Sequence, residues 1–144
     1  MKKRDRGFSL LELLIVVAII LIIATIAIPS LMRSRQAANE TAAVATLKML
    51  NTAEVTYSSS TSGAYASIAE LITERMIDSG VAGTKAGYNY TIELSGDRLN
   101  YTVFATAASS VSGRYDYYTA PDYVLRYTTV TTRAPSGLSG EPVN

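Results

Sequence analysis

The 144-residue chain has no cysteine, no histidine and no tryptophan. Without cysteine there is no disulfide, thiolate metal site or cysteine nucleophile. Without histidine a Ser-His-Asp relay, a His metal cluster and an imidazole acid–base are excluded. Charged residues make up only 17% of the chain, and the formal net charge is +1. That balance lacks the basic excess of a nucleic-acid binder, so no nucleic-acid partner is expected. With 4 Pro and 9 Gly, the composition also excludes collagen, coiled coil and a disordered acidic tail. No phosphate-binding glycine motif is present. What the chain does have is 48% hydrophobic residues, and 10 Tyr against 2 Phe. Its length suits one domain with an appendage.

The positive charge is local. Lys2, Lys3, Arg4 and Arg6 crowd the N-terminus with only Asp5 against them, and the remainder is mildly acidic. An apolar run follows, in which Glu12 and Thr25 are the only polar residues between Leu10 and Ile28. As a helix at about 1.5 Å per residue, that run would span roughly 28 Å, one hydrocarbon core. The leader charges, with only Arg33 and Arg35 close beyond the span, place the N-terminus in the cytoplasm and the rest outside. A secretory signal peptide would need a shorter apolar core and a small-residue cleavage site. The end of this run, Ala24-Thr25-Ile26-Ala27-Ile28-Pro29, supplies neither. A simple membrane anchor fits the length but leaves Glu12 unexplained. An acidic residue inside a span costs about 2.5–3.5 kcal/mol on insertion scales and is usually functional.

Gly7-Phe8-Ser9-Leu10-Leu11-Glu12, between a basic leader and an apolar helix, resembles the class III signal of type IV pilins and pseudopilins. The family pattern is Gly before a cut, an aromatic after it and Glu as the fifth residue beyond it. The resemblance implies that a prepilin peptidase cuts between Gly7 and Phe8 and that Phe8 is N-methylated. Pro29 falls where many members carry a helix-kinking proline. Physical chemistry supports the same assignment. An unpaired Glu12 carboxylate in a greasy bundle is costly. The α-amine uncovered on Phe8 of a neighbouring copy is its natural counter-charge, and such pairs set register.

Beyond the span, Ala43, Leu47, Leu50, Ala53 and Tyr57 form one apolar stripe at helical spacing. Gln36, Asn39, Glu40 and Lys48 are expected on other faces. The whole is read as one helix over residues 8–58, apolar all round to residue 29 and amphipathic after it, with Pro29 kinking or locally melting it. Ser58 to Gly63 should end it. A short helical pattern follows over residues 65–80, with Ser67 and Glu70 at capping-box spacing. Residues 81–87 are expected as a loop. Tyr88, Tyr90, Ile92 and Leu94 alternate with polar residues, as do Leu99, Tyr101, Val103 and Ala105, on either side of a turn at Ser95-Gly96-Asp97-Arg98. A second hairpin is expected from Arg114–Tyr118 and 123–129, turning at 119–122. Residues 134–144 read as a surface-draped or mobile tail.

The expected fold is therefore α+β: a long N-terminal helix packed on a small four-stranded antiparallel sheet, which is also the pilin architecture. The division is a leader at 1–7, a helix at 8–58 whose 8–29 part spans the membrane or forms a filament core, and a head at 59–144. The segments Gly113–Thr119 and Val124–Arg126 resemble the C-terminal region of major pseudopilins, more weakly. Better-known pilins close a C-terminal loop with a disulfide, which this chain cannot do. Asp116 and Asp122 could be calcium ligands, but they lack a ligand-loop pattern and read as solvated turn acids. Tyr115, Tyr117, Tyr118, Tyr123 and Tyr127 could form a stacking platform, though Tyr is simply a good strand former. Asn39, Asn89 and Asn100 begin N-x-S/T patterns.

These readings converge on a non-enzymatic subunit, without cofactor or metal. It would be made as a bacterial inner-membrane precursor with its head outside and assembled as a pilus in the periplasm or at the cell surface. The resemblance implies these partners: further copies of itself in a helical homopolymer, the prepilin peptidase, an inner-membrane assembly platform with its ATPase, minor pilins, and membrane lipid before assembly. Two alternatives stay open: a pseudopilin of a type II secretion piston, and a membrane-anchored binding module that never polymerises.

Overall fold

A computed structural model describes residues 8–128 and 141–143. It contains a long helix α1 (Leu10–Ser60), a short helix α2 (Ile68–Thr73) and a 3-10 turn at Ser79–Ala82. Six strands follow: β1 (Thr84–Lys85), β2 (Tyr88–Leu94), β3 (Tyr101–Ala107), β4 (Asp116–Thr119), β5 (Leu125–Thr128) and β6 (Glu141–Pro142). The strands pair antiparallel in chain order, an up-and-down meander. The chain divides into two compact units, one ending at Ser34 and one beginning at Arg35.

The expected α+β class holds, with six strands among the described residues in place of four. β2 to β5 are the two expected hairpins. The additions are two-residue edge strands, too short to carry an alternation signal. β1 lies in the expected 81–87 loop, and Thr84 pairs with Asn89. β6 lies in the expected tail, where Tyr127 pairs with Glu141 and the Val143 N–H donates to Leu125 O at 2.8 Å. Residues 134–140 and 144 of that tail, and residue 129 of the second expected hairpin, lie outside the described residues.

α1 runs two residues past its expected end. Ser59 and Ser60 keep the last turn by donating their hydroxyls to Val55 O and Tyr57 O. Left-handed Ser62 and Gly63 (φ 59° and 100°) then reverse the chain, with Gly63 N–H on Ser58 O. Pro29 lies inside α1 and the helix continues through it. The local melting expected there does not occur, because a proline deprives its turn of one N–H while the apolar neighbours remain good helix formers.

In the second unit α1 lays its stripe on the sheet. Ala43, Leu47, Leu50 and Ala53 are buried, and Tyr57 is half-buried against them. From the sheet side Tyr88, Tyr90, Tyr101, Val103 and Ala105 complete the core, as the period-two pattern requires. Leu71 and Val81 close it from α2 and the 3-10 turn. Gly113 is fixed by this packing, since a Cβ there would collide with the Tyr88 ring and hydroxyl. The capping box at α2 is present in both directions: Ser67 Oγ accepts from Glu70 N–H, and Glu70 Oε2 accepts from Ser67 N–H at 2.8 Å. Leu99, expected inside a strand, belongs to the β2–β3 turn and is exposed. The register pairs Leu94 with Tyr101 and leaves Leu99 outside the ladder.

Candidate assembly segment

Among the described residues, the N-terminal unit has no core of its own. From Leu10 to Ile28 every side chain is exposed except half-buried Ala24. Helix formation begins at Ser9, whose carbonyl accepts from the N–H groups of Glu12 (3.1 Å) and Leu13 (3.2 Å). Glu12 lies in the first turn of α1, where a carboxylate faces the positive end of the helix dipole. It forms no ion pair with any described residue. Phe8 is exposed immediately before the helix, and Gly7 lies outside the described residues. The helix is long and apolar enough to cross a membrane.

Taking such a run out of water is strongly favourable. Each Leu, Ile or Val gains about 1.5–3 kcal/mol on full burial, so the segment gains on the order of 20 kcal/mol in lipid or against similar helices. The one group opposing either environment is Glu12. Phe8, Glu12 and the apolar run thus form a single segment with a strong drive to be covered and one unmet electrostatic need.

The prokaryotic N-terminal methylation motif matches residues 2–28, which include Gly7, Phe8 and Glu12. The chain carries a prepilin-type N-terminus. Over 54 residues it is 46% identical to the type IV major pilin protein PilA of Myxococcus xanthus, covering 38% of this chain and 24% of that one. Over 45 residues it is 49% identical to the type IV wide pilus major component PilA4 of Thermus thermophilus, covering 31% and 34%. The chain therefore spans about a quarter to a third of the length of these pilins. No solved structure matches.

Below the prepilin-type segment, α1 is tied to the sheet by polar groups that the sequence reading placed elsewhere. Gln36 donates to Ser110 O and Asn39 to Ser112 O, each at 2.8 Å. Glu40 is buried and receives the Arg114 backbone N–H (2.9 Å), Nε (3.1 Å) and Nη2 (2.9 Å). Burial pushes the Glu40 carboxyl up, but the Arg114 hydrogen bonds and charge outweigh it and hold the group below its ordinary value. These three residues were expected on faces other than the apolar stripe. They instead bind the loop between β3 and β4 to the helix.

Further along, Asn51 Nδ2 donates to Thr119 Oγ1 at 2.8 Å, and the Tyr101 hydroxyl donates to Asn51 Oδ1 at 3.0 Å. Glu54 is fully buried. Its Oε2 accepts from Ala66 N–H at 2.9 Å, and its Oε1 has no hydrogen-bond partner among the described residues. Burial raises its pKa to about 7, the Ala66 hydrogen bond opposing and the Glu70 charge adding. Glu70 itself is held down at about 2 by the Ser67 N–H, by Arg98 and by the Ser67 hydroxyl. The signal for Glu40 and Glu54 was available: both continue the 43, 47, 50 stripe at helical spacing.

Asp116 is not the solvated turn acid expected. It is buried at the start of β4, its Oδ1 accepts from Ala107 N–H at 2.8 Å, and burial raises its pKa. Asp122 lies at the opposite end of β4, in the β4–β5 turn, where Arg126 engages its carboxylate at 2.5 Å. The strand between them keeps the two acids from sharing a ligand. The tyrosines also divide. Tyr115, Tyr117 and Tyr127 pack together (Tyr115–Tyr127 centroids 5.2 Å apart) beside a recess of about 290 Å³. Tyr118 meets Phe104, and Tyr123 stands exposed in the turn. Asn39 is a helix-to-loop tie, while Asn89 accepts from Thr84 Oγ1 at 2.6 Å. Asn100 is exposed at the β2–β3 turn.

Proposed function

We propose that the chain is a structural subunit of a type IV pilus-like filament. It is cut between Gly7 and Phe8, methylated at Phe8, and polymerised through its N-terminal helix. The observation that carries this reading is the exposed apolar run bearing one carboxylate that forms no ion pair with any described residue. Lipid covers the run in the precursor, with the leader in the cytoplasm and the sheet unit outside. Copies of the same helix cover it in the filament. The two surroundings are chemically similar, so transfer between them need not cost the full burial energy.

The cut removes the basic leader and exposes an amine on Phe8. Glu12 of one copy then pairs with Phe8 of another and fixes their register. Repetition of one non-closing contact gives an open helical polymer. The chain supplies no catalysis; an assembly ATPase acting through a membrane platform does the work. Pro29 gives the helix local freedom during extraction.

The mass of material purified from the native host tests the processing. It should begin at Phe8 with one added methyl group, and retention of the first seven residues would overturn the reading. Electron microscopy of sheared surface material separates a pilus from a secretion piston, which forms no long fibres at ordinary expression. A non-polymerising anchor would stay as single chains in the membrane.

A further inference from the structure

The second unit presents two chemically opposite ends. The meander places the β2–β3 and β4–β5 turns at one end, and α1 finishes there, since Tyr65 N–H donates to Arg98 O. At the other end lie the β1–β2 turn, the β3–β4 loop and the first residues of α1 in this unit, joined by the Gln36 and Asn39 hydrogen bonds and by Ala108 N–H on Gly87 O.

The first end exposes Leu99 (57%), Tyr123 (52%) and Val124. Tyr123 holds a left-handed backbone, φ 61°, a conformation that bulky side chains rarely adopt. Strain of this kind persists where the surroundings enforce it, and it clusters at functional surfaces. At the same end of the sheet are two exposed acids, Glu93 and Asp97, in no ion pair with any described residue. Two other acids, Glu70 and Asp122, are already matched by Arg98 and Arg126. The second end exposes Val111 (54%) at the tip of the β3–β4 loop, with Arg35 and Lys85 as exposed cations in no such pair.

We propose that these ends are the two halves of one contact, in which the Val111 loop of one copy seats on the Leu99–Tyr123–Val124 patch of the next. This rests on the filament reading. The occupant is a second copy because the charges complement each other: surplus anions around one apolar patch and surplus cations around the other, on the same chain. Two different surfaces meeting head to tail do not close on themselves, so the contact repeats along a polymer. Complementary rim charges orient the approach and suppress wrong pairings. The helices hold the subunits together, and this contact sets the spacing and rotation of the sheet units.

The absence of native cysteine makes the test direct. The chain carrying both Val111→Cys and Leu99→Cys is assembled in its native host, sheared, oxidised and run without reductant. A ladder of dimers, trimers and higher multimers is expected, with each single variant running as monomer. Fibres in normal yield that run as monomers in the double variant would overturn the contact and leave polymerisation standing. Absence of fibres from the unaltered chain would overturn both. If the cysteine variant does not assemble, charge exchange decides. Glu93→Lys with Asp97→Lys should cut sheared fibre at least tenfold, and adding Arg35→Glu with Lys85→Glu should restore it. No loss, or loss without restoration, overturns the proposal.

Discussion

The two halves of α1 are one continuous helix governed by opposite rules. Residues 10–28 are apolar on every face and exposed; residues 40–57 are apolar on one stripe, and that stripe is buried. The first half is covered by none of the described residues. The second half is completed by its own sheet. Each half also holds an acid among apolar residues, with different outcomes. Glu12 has no counter-charge among the described residues. Glu40 is matched by Arg114, and Glu54 sits half-satisfied in the core with its pKa raised. A helix alone does not say whether a molecule folds or assembles; what covers its apolar faces does.

The largest test of this contrast is Glu12→Ala. Fibre yield should fall by more than tenfold in shearing assays, with the protein retained in the membrane and the sheet unit melting unchanged. A variant that assembles normally would remove the distinction between the halves.

Next is a pair of truncations. Leu47 is fully buried (0%), so Leu47→Ala should destabilise the sheet unit by about 2–5 kcal/mol. Ile20→Ala, on the exposed run, should shift the same melt by less than about 0.5 kcal/mol. Thermal unfolding of the detergent-solubilised chain reads both.

Glu54 gives a pH signature. Its folded pKa of about 7 lies above the ordinary 4.5, so the folded state binds a proton that the unfolded chain has lost. The resulting stability is fully present below about pH 4.5 and is lost as pH rises through 7. Glu54→Gln should flatten that slope and raise stability at pH 8 by ~2 kcal/mol. Glu40 and Glu70 act in the opposite sense, since their pKa values are lowered. Their contribution is lost as pH falls below 4.5, so the two windows are separable in a melting series.

The smallest effect is Ser67→Ala, which removes the cap of α2. It should cost about 1 kcal/mol in the same melt and leave assembly unaffected.

The prepilin-type segment was legible from residues alone because its chemistry is local: a basic leader, Gly7, Phe8, Glu12 and a long apolar run need no folding to be recognised. The stripe on α1, the Ser67–Glu70 cap and the two hairpins were legible for the same reason, since each is a short-range period or spacing. The ties at Gln36, Asn39 and Glu40 were not. Their partners lie in a loop more than seventy residues away, at Ser110, Ser112 and Arg114. Asp116 was misplaced because nothing beside it in sequence shows that Ala107 will donate to it. The two edge strands were missed because pairs of two residues carry no period.

By itself, then, the order of amino acids determined the apolar span, its single acid, the helix that contains them and the strands that alternate, all through interactions between near neighbours along the chain. Only the tertiary structure decided which polar groups became anchors, which acid was left half-satisfied in the core, and how opposite charges were sorted to opposite ends of the sheet. Those outcomes depend on contacts between segments distant in sequence, and such contacts exist only once the meander has closed over the helix.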